Sequence, residues 1–130
     1  MTSEVDVAYV AGLIDGDGCI RFQSRKRGRK RRPPEIVVSN SCRVVVEWLQ
    51  KRFGGRIYVD NRRGRRVSYS WRLYRKEEVR RLLRMVLPFL KVRRRQAELV
   101  LYYLENDLPV EEMEEVFEAV HRLNNGGDAM

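Results

Sequence analysis

The sequence is poor in cysteine and in long apolar runs, and each shortage excludes a class of protein. Its only two cysteines, Cys19 and Cys42, form no C-x-x-C pair, so neither a disulfide framework nor a zinc site is expected. The longest apolar stretch runs only from residue 7 to residue 14, whereas a membrane-spanning helix needs about 20 apolar residues. Acidic Glu4 and Asp6 stand where a secretory signal would be basic. We expect an intracellular location, in the cytoplasm, nucleoid or an organelle, with no secretion and no membrane.

Acidic side chains are also scarce, but only in the first three quarters of the chain. The 130 residues carry 27 Lys and Arg against 18 Asp and Glu, a net charge of +9. Residues 1–96 hold 26 of the 27 basic residues, whereas residues 97–130 hold nine of the 18 acidic ones. This asymmetry favours a polyanionic partner for residues 1–96. The 43% hydrophobic content suffices for one core, so we expect a single domain over residues 1–130.

The spacing of apolar residues predicts five helices and four strands. The predicted helices are 4–15, 42–53, 76–87, 92–105 and 110–124, and the predicted strands are 19–25, 35–39, 56–61 and 67–74. Asn40 or Ser41 is expected to cap the second helix. The order indicates an α+β layout in which helices cover one face of an antiparallel sheet. The other face is expected to be bare and basic.

The densest signal is a helix that ends in two carboxylates, within Val10-Ala-Gly-Leu-Ile-Asp-Gly-Asp-Gly18. A helix C-terminus is already negative, so Asp15 and Asp17 are unfavourable there unless a cation offsets them. The alternative is a simple turn, because Asp-Gly pairs are common in turns. A calcium loop of the D-x-D-x-D-G type is excluded, since Cys19, Ile20 and Lys26 stand where it needs an oxygen ligand, a glycine and a glutamate.

This nine-residue segment resembles the LAGLIDADG motif, with Val for the first Leu and Gly for the second Ala. The stretches 40–58 and 88–97 resemble the same family, the LAGLIDADG homing endonucleases of single-motif type, and the resemblance covers about residues 5–105. It implies the αββαββα fold, whose sheet forms a DNA-binding saddle, followed by an extra C-terminal helix. It also implies a site-specific endonuclease that makes a metal-dependent double-strand break in a long, pseudo-palindromic DNA site.

The resemblance implies a role for several residues of the site. Asp17 is expected to bind Mg²⁺ or Mn²⁺ together with the backbone carbonyl of Gly16, and Asp15 is expected to be structural. Asn40 stands where the family places a polar residue that orients water near the scissile phosphate. Arg93 stands where many members have a catalytic-region Lys. Because Arg does not deprotonate, phosphate positioning is the alternative role for it.

Basic and polar side chains alternate with core residues on two predicted strands. Base readout is expected from Arg21, Gln23, Arg25, Ser68, Ser70 and Arg72, because Arg and Gln pair bidentately with guanine and adenine. Phosphate contacts are expected from the loop 26–32 and the turn 62–66, in particular from Arg29, Lys30, Arg62 and Arg65. The alternative for each charged run is a solvated surface. His121, the only histidine, is expected to be a surface or helix-packing residue.

The first predicted helix has small residues at helical spacing, and the chain has only one motif. A homodimer is therefore expected, with an interface at Ala8, Ala11, Gly12 and Asp15 and with two Asp17 carboxylates near the two-fold axis. The main alternative is a protein with this fold that binds nucleic acid without cutting it, either an intron RNA-splicing maturase or a transcriptional regulator. A generic basic or RNA-binding protein would explain the charge but not the motif.

Overall fold

The computed structural model describes residues 2–24 and 31–126, over which it has five α-helices and one four-stranded sheet. The helices are α1 Glu4–Asp17, α2 Arg43–Phe53, α3 Lys76–Val86, α4 Arg94–Glu105 and α5 Val110–Asn124, with a short 3₁₀ turn at Leu87–Phe89. The strands are β1 Gly18–Phe22, β2 Pro34–Asn40, β3 Arg56–Asp60 and β4 Ser68–Leu73. The predicted α+β fold class is confirmed.

The sheet is antiparallel throughout and has the strand order β1-β2-β4-β3. Its register aligns apolar residues on one face, where α1, α2 and α3 pack against β2. These side chains are fully buried: Ile20, Ile36, Val38, Trp71 and Leu73. We call the opposite side the outer face, and its residues are Cys19, Arg21, Glu35, Val37, Ser39, Arg56, Tyr58, Asp60, Ser68, Ser70 and Arg72.

Most predicted elements lie within two residues of their observed bounds, and α5 has the predicted ones. Helix α1 is longer than predicted, because the N–H of Gly18 donates to Ile14 O and the helical bonding continues through Asp17. Strand β1 is shorter than predicted and ends at Phe22. Gly18 allows the direct passage from helix to strand, since a Cβ there would overlap the carbonyl oxygen of Val37. Asp17 therefore lies at the junction of α1 and the sheet.

Two helix starts differ from the sequence prediction. The N-cap of α2 is Cys42, without a side-chain cap, and neither Asn40 nor Ser41 caps the helix. The Asn40 side chain is used elsewhere, as described below. Helix α4 begins at Arg94, two residues later than predicted, because the backbone of residues 91–93 is held in a loop by Asp15.

One apolar cluster joins the sheet to all five helices of the described residues. At its β1 edge, the ring of Phe22 packs edge-to-face on Tyr103 of α4 and Phe117 of α5, with centroid distances of 5.0 and 4.7 Å. These aromatic contacts attach the two C-terminal helices beside the edge strand. No helix among the described residues is long and apolar enough to cross a membrane.

Candidate functional site

Asp17, the last residue of α1, is exposed and has one side-chain partner. Its Oδ2 accepts a hydrogen bond from Asn40 Nδ2 at 2.9 Å. The other end of the same amide, Asn40 Oδ1, accepts from the backbone N–H of Cys42 at 2.7 Å. The start of α2 thus fixes the orientation of the amide that faces Asp17. The structure brings together Asp17 and Asn40, which the sequence analysis had placed in one site.

Asp15 lies on the same helix end, but its own chain uses both of its oxygens. Oδ2 accepts from the backbone N–H of Lys91 at 2.7 Å, and Oδ1 accepts from that of Arg93 at 3.0 Å. These bonds join α1 to the loop before α4, across more than 70 residues of sequence. The geometry agrees with a structural role for Asp15.

Arg93 caps the C-terminal end of α1. Its Nε donates a second bond to the carbonyl oxygen of Ile14, at 3.1 Å, beside the bond from the Gly18 N–H, and this places a positive charge at the negative end of the helix dipole. The same charge also acts on the thiol of Cys19, an outer-face residue. Burial raises the pKa of the Cys19 thiol, and the nearby Arg21 and Arg93 guanidinium groups partly offset that rise.

The donor set at Asp17 fits a hard divalent cation bound in part by other molecules. A carboxylate and the exposed Gly16 backbone offer oxygen ligands, and Mg²⁺ is usually held by one or two carboxylates together with water and substrate phosphates. Within residues 2–24 and 31–126, no three Asp, Glu, His or Cys side chains group closely enough to hold a metal ion. One chain thus offers part of a cation site, and phosphate or a second carboxylate would have to complete it.

The outer face is polar but less uniformly basic than expected. Arg21 bonds to Glu35 on the neighbouring strand, with Nε and Oε1 2.7 Å apart. Arg72 lies over the Tyr58 ring, with its Cζ 4.9 Å from the centroid. Ser70 contacts Ser39 across β2 and β4 at 3.4 Å. Four of the expected base-reading residues, Arg21, Ser68, Ser70 and Arg72, therefore share this face.

The other expected DNA-contacting residues have different surroundings. Gln23 directly follows β1. Arg62 donates two side-chain bonds and one backbone N–H bond to Asp60, and these bonds hold the pKa of the Asp60 carboxyl below its usual range. Arg65 is exposed in the turn after β3. Arg25, Arg29 and Lys30 lie outside the described residues.

The contribution of β2 side chains to the outer face was not predicted from the sequence. Glu35 and Val37 are both buried there. The outer-face residues that were predicted from the sequence are basic or polar and all belong to other strands. Alternation with Ile36 and Val38 was the signal that could have placed Glu35 and Val37. His121 is exposed on α5, as expected, and it lines a recess that also includes Cys19 and Arg21.

Helix α1 exposes a narrow strip of small and apolar residues, comprising Val5, Ala8, Tyr9, Gly12 and Gly16. A Cβ at Gly12 or at Gly16 would meet no atom within 4 Å. Ala11 was expected on this strip, but it is only 1% exposed and packs into the core of its own chain. That expectation is wrong, because a helix turns about 100° per residue and only Ala8 and Gly12 share the exposed side.

Comparisons with solved structures agree with this fold. The chain is similar to the homing endonuclease I-CvuI, solved with its DNA target, with a TM-score of 0.69 and 23% identity over 95% of this chain and 80% of that one. It is also similar to the archaeal intron-encoded homing endonuclease I-Vdi141I, solved with DNA (TM-score 0.61, 16% identity, 95% and 99% coverage). A third similar structure is the homing endonuclease I-TnaI (TM-score 0.61, 21% identity, 92% and 96% coverage). No curated protein sequence matches significantly.

The model of the LAGLIDADG-like domain matches residues 4–86, which include α1, the sheet and α2. This match covers well over half of the chain and contains the Asp15 and Asp17 carboxylates at the end of α1. Fold, motif and family model therefore agree that the chain belongs to the LAGLIDADG family and carries one copy of its motif.

Proposed function

We propose that the protein is a site-specific DNA endonuclease that acts as a homodimer and requires a divalent cation. The observation that carries this proposal is the exposed Asp17 carboxylate, fixed by Asn40 where α1 enters the sheet. The Arg-bearing outer face begins directly after it, at Cys19 and Arg21 of β1. A cation-binding carboxylate thus lies beside a surface suited to a polyanion.

Double-stranded DNA is the polyanion that suits the outer face best. A flat sheet surface can lie along a major groove, and its arginine and serine side chains can reach base edges there. Arg65, in the exposed turn after β3, is placed to contact phosphate and so to position the duplex without specifying its sequence. I-CvuI and I-Vdi141I, which share this fold, were solved with DNA, which supports the same class of partner.

The homodimer rests on the exposed strip of α1. Two copies of α1 related by a two-fold axis would cover Ala8, Gly12 and Gly16, whose small side chains permit close approach of the helices. The same contact would bring two Asp17 residues together, one from each copy. A homodimer with a two-fold axis binds two equivalent half-sites, so the proposed target is pseudo-palindromic.

The proposed chemistry is hydrolysis of one phosphodiester in each strand. A bound Mg²⁺ or Mn²⁺ would supply an activated water and stabilise charge on the attacking and leaving oxygens. Asp17 and the carbonyl of Gly16 would hold the cation, and Asn40 would orient Asp17. Arg93, whose Nε donates to Ile14 O, would offset phosphate charge with its guanidinium group.

A selection with random duplex DNA tests this function. The purified protein is mixed with the library, bound duplexes are sequenced, and the selected duplex is then incubated with Mg²⁺ or with EDTA. The proposal expects one enriched pseudo-palindromic site and double-strand cleavage with Mg²⁺ only. Cleavage that persists in EDTA, or a library without any enriched site, would contradict the proposal.

One observation favours a second candidate, a nucleic-acid-binding protein without cleavage activity, acting on intron RNA or on an operator. Arg93 replaces the lysine that the resemblance implies, and its Nε is occupied by the Ile14 carbonyl. Such a protein would enrich a DNA or RNA site in the same selection but would leave the DNA intact at every Mg²⁺ or Mn²⁺ concentration. The cleavage step therefore separates the two candidates.

A further inference from the structure

A buried carboxylate lies on the proposed DNA-binding surface, near the end of the β1–β2 pairing. Glu35 is on β2, an inner strand of the sheet, and its side chain is only 6% exposed. Its register partner on β1 is Arg21, whose side chain is 42% exposed. A negative charge on a surface that binds a polyanion needs an explanation, because it opposes that binding.

Stability alone does not explain the pair. A buried ion pair is often no more stable than apolar residues of similar volume. The next outer-face position on β2 is Val37, which is equally buried and uncharged. An apolar residue at position 35 would thus suit the packing of this strand. The carboxylate is more readily explained by what it does to Arg21.

The geometry of the pair fixes one edge of the guanidinium. Glu35 Oε1 accepts from Arg21 Nε at 2.7 Å. An arginine side chain has five N–H donors in a rigid plane, and a bidentate contact to guanine O6 and N7 uses only two of them. Arg21, Gln23, Ser24, Glu35 and Arg72 line a recess of about 350 Å³ on the outer face. Arg21 is thus held at the wall of a polar recess large enough for the edge of a base.

Arg72 provides a contrast on the same face. Its guanidinium lies over the Tyr58 ring and its Nε contacts Ser70 Oγ at 3.5 Å. Both of these partners are neutral, so they restrain Arg72 without cancelling its charge. Arg21, in contrast, is paired with a full negative charge. The two arginines therefore differ in the net charge that they present to DNA.

We propose that Glu35 is a positioning residue for sequence specificity. It holds Arg21 in the orientation that reads one guanine in each half-site, and it cancels the charge that would otherwise attract Arg21 to any phosphate. Arg72 keeps its charge and contributes to affinity for every duplex. This inference rests on the proposed DNA-binding function and deepens it, because it assigns base discrimination to a residue too buried to contact DNA itself.

The test starts from the duplex that the wild-type protein selects, with every single-base variant of one half-site. Affinities are measured by fluorescence anisotropy at several salt concentrations, and thermal unfolding verifies that each variant folds. If the wild-type protein selects no duplex, the proposed function fails, and that outcome is separate from the ones below. If it selects one, the wild-type profile should contain a guanine whose replacement weakens binding about tenfold or more.

Glu35→Gln keeps an oxygen acceptor for Arg21 but removes the charge. We expect the preference for that guanine to fall about tenfold, while affinity for unrelated duplexes rises. The salt dependence should steepen by about one unit, the equivalent of one added phosphate contact. An unchanged base profile together with an unchanged salt dependence would show that Glu35 is merely structural and would overturn the proposal.

A double variant keeps the test decisive if Glu35→Gln does not fold. Arg21→Met with Glu35→Leu replaces the whole pair by apolar side chains and leaves no buried charge. It should lose the preference for the same guanine, and its salt dependence should stay the same because the pair has no net charge. Arg72→Ala is the control, and it should reduce the salt dependence by about one unit without affecting that guanine. A double variant that retains the guanine preference would contradict the proposal.

Discussion

Two regions flank the C-terminal end of α1, and each receives one carboxylate of the motif. On one side, Asp15 faces the loop 91–93 and accepts two backbone N–H groups. On the other side, Asp17 faces the junction of β2 and α2 and accepts one bond from the Asn40 amide. The two residues are chemically identical and only two positions apart. Their surroundings differ, and the proposed function assigns them different roles.

In the proposed function, this short motif combines a structural and a chemical role. A carboxylate whose oxygens both accept backbone N–H groups contributes to the fold, because removing it would leave those donors without a partner. A carboxylate that is exposed and held by one side-chain amide can exchange that partner for a cation. The following predictions test this difference between Asp15 and Asp17, in order of decreasing effect.

Asp17→Asn should have the largest effect and should act on chemistry alone. We expect single-turnover cleavage of the selected duplex to fall by about three or more orders of magnitude, because the activated water is lost. DNA affinity and thermal stability should remain close to wild type, since Asp17 is exposed and bears a single side-chain bond. Full cleavage activity in this variant would exclude Asp17 as the cation ligand.

Gly12→Leu extends the comparison to the partner chain. A leucine on the exposed strip of α1 would separate the two helices, and we expect the dimer dissociation constant to rise by about 100-fold. The monomer should remain folded, since nothing lies within 4 Å of a Cβ at this position and leucine favours helix more than glycine does.

Light scattering at micromolar concentration measures the assembly state of this variant, and Gly12→Ala is the conservative control. Cleavage should decline in parallel with the dimer, because each Asp17 would lose its counterpart. A monomeric wild-type protein with normal double-strand cleavage would be incompatible with the account.

Asp15→Asn should act on stability rather than on chemistry. An amide presents one N–H₂ group to the loop, so one of the two backbone donors of residues 91 and 93 would face another donor. We expect a loss of about 1–3 kcal/mol in the free energy of unfolding, measured by urea denaturation. Cleavage by the fraction that remains folded should be retained. A variant with wild-type stability and no activity would reverse the roles assigned to the two carboxylates.

Asn40→Ala should have the smallest effect. Residues that orient a metal ligand typically contribute about tenfold to activity or to metal affinity, and we expect a loss of that size in cleavage. Ser41→Ala is the matched control, because Ser41 is adjacent and exposed. Equal activities of the two variants would mean that the Asn40 amide does not position Asp17.

Local sequence patterns predicted the elements and the covered face of the sheet well. Ile20, Trp71 and Leu73 were placed on the helix-covered face from alternation alone, because a strand with one buried face repeats every two residues. The resemblance of residues 10–18 to a family motif added the roles expected for Asp15 and Asp17. Each of these signals is local, because it depends on residues that are only a few positions apart in the sequence.

The failures involve contacts between distant residues. The start of α4 depends on backbone N–H bonds that Asp15, more than 70 residues earlier, accepts. The Arg21 bond to Glu35 depends on strand register. Ala11 was misplaced because small residues at helical spacing do not show which side the chain's own core occupies. Such features follow from packing across the fold, which no local pattern specifies.

Cation binding by the protein–DNA complex is the most direct test of Asp17 as the cation ligand. Mn²⁺ is titrated by calorimetry into complexes of the selected duplex with wild-type protein, Asp17→Asn and Asp15→Asn, each under conditions where the protein is folded. The duplex alone provides the background. We expect wild-type protein and Asp15→Asn to bind Mn²⁺ above that background and Asp17→Asn not to do so. Binding that survives in Asp17→Asn but disappears in Asp15→Asn would contradict the account.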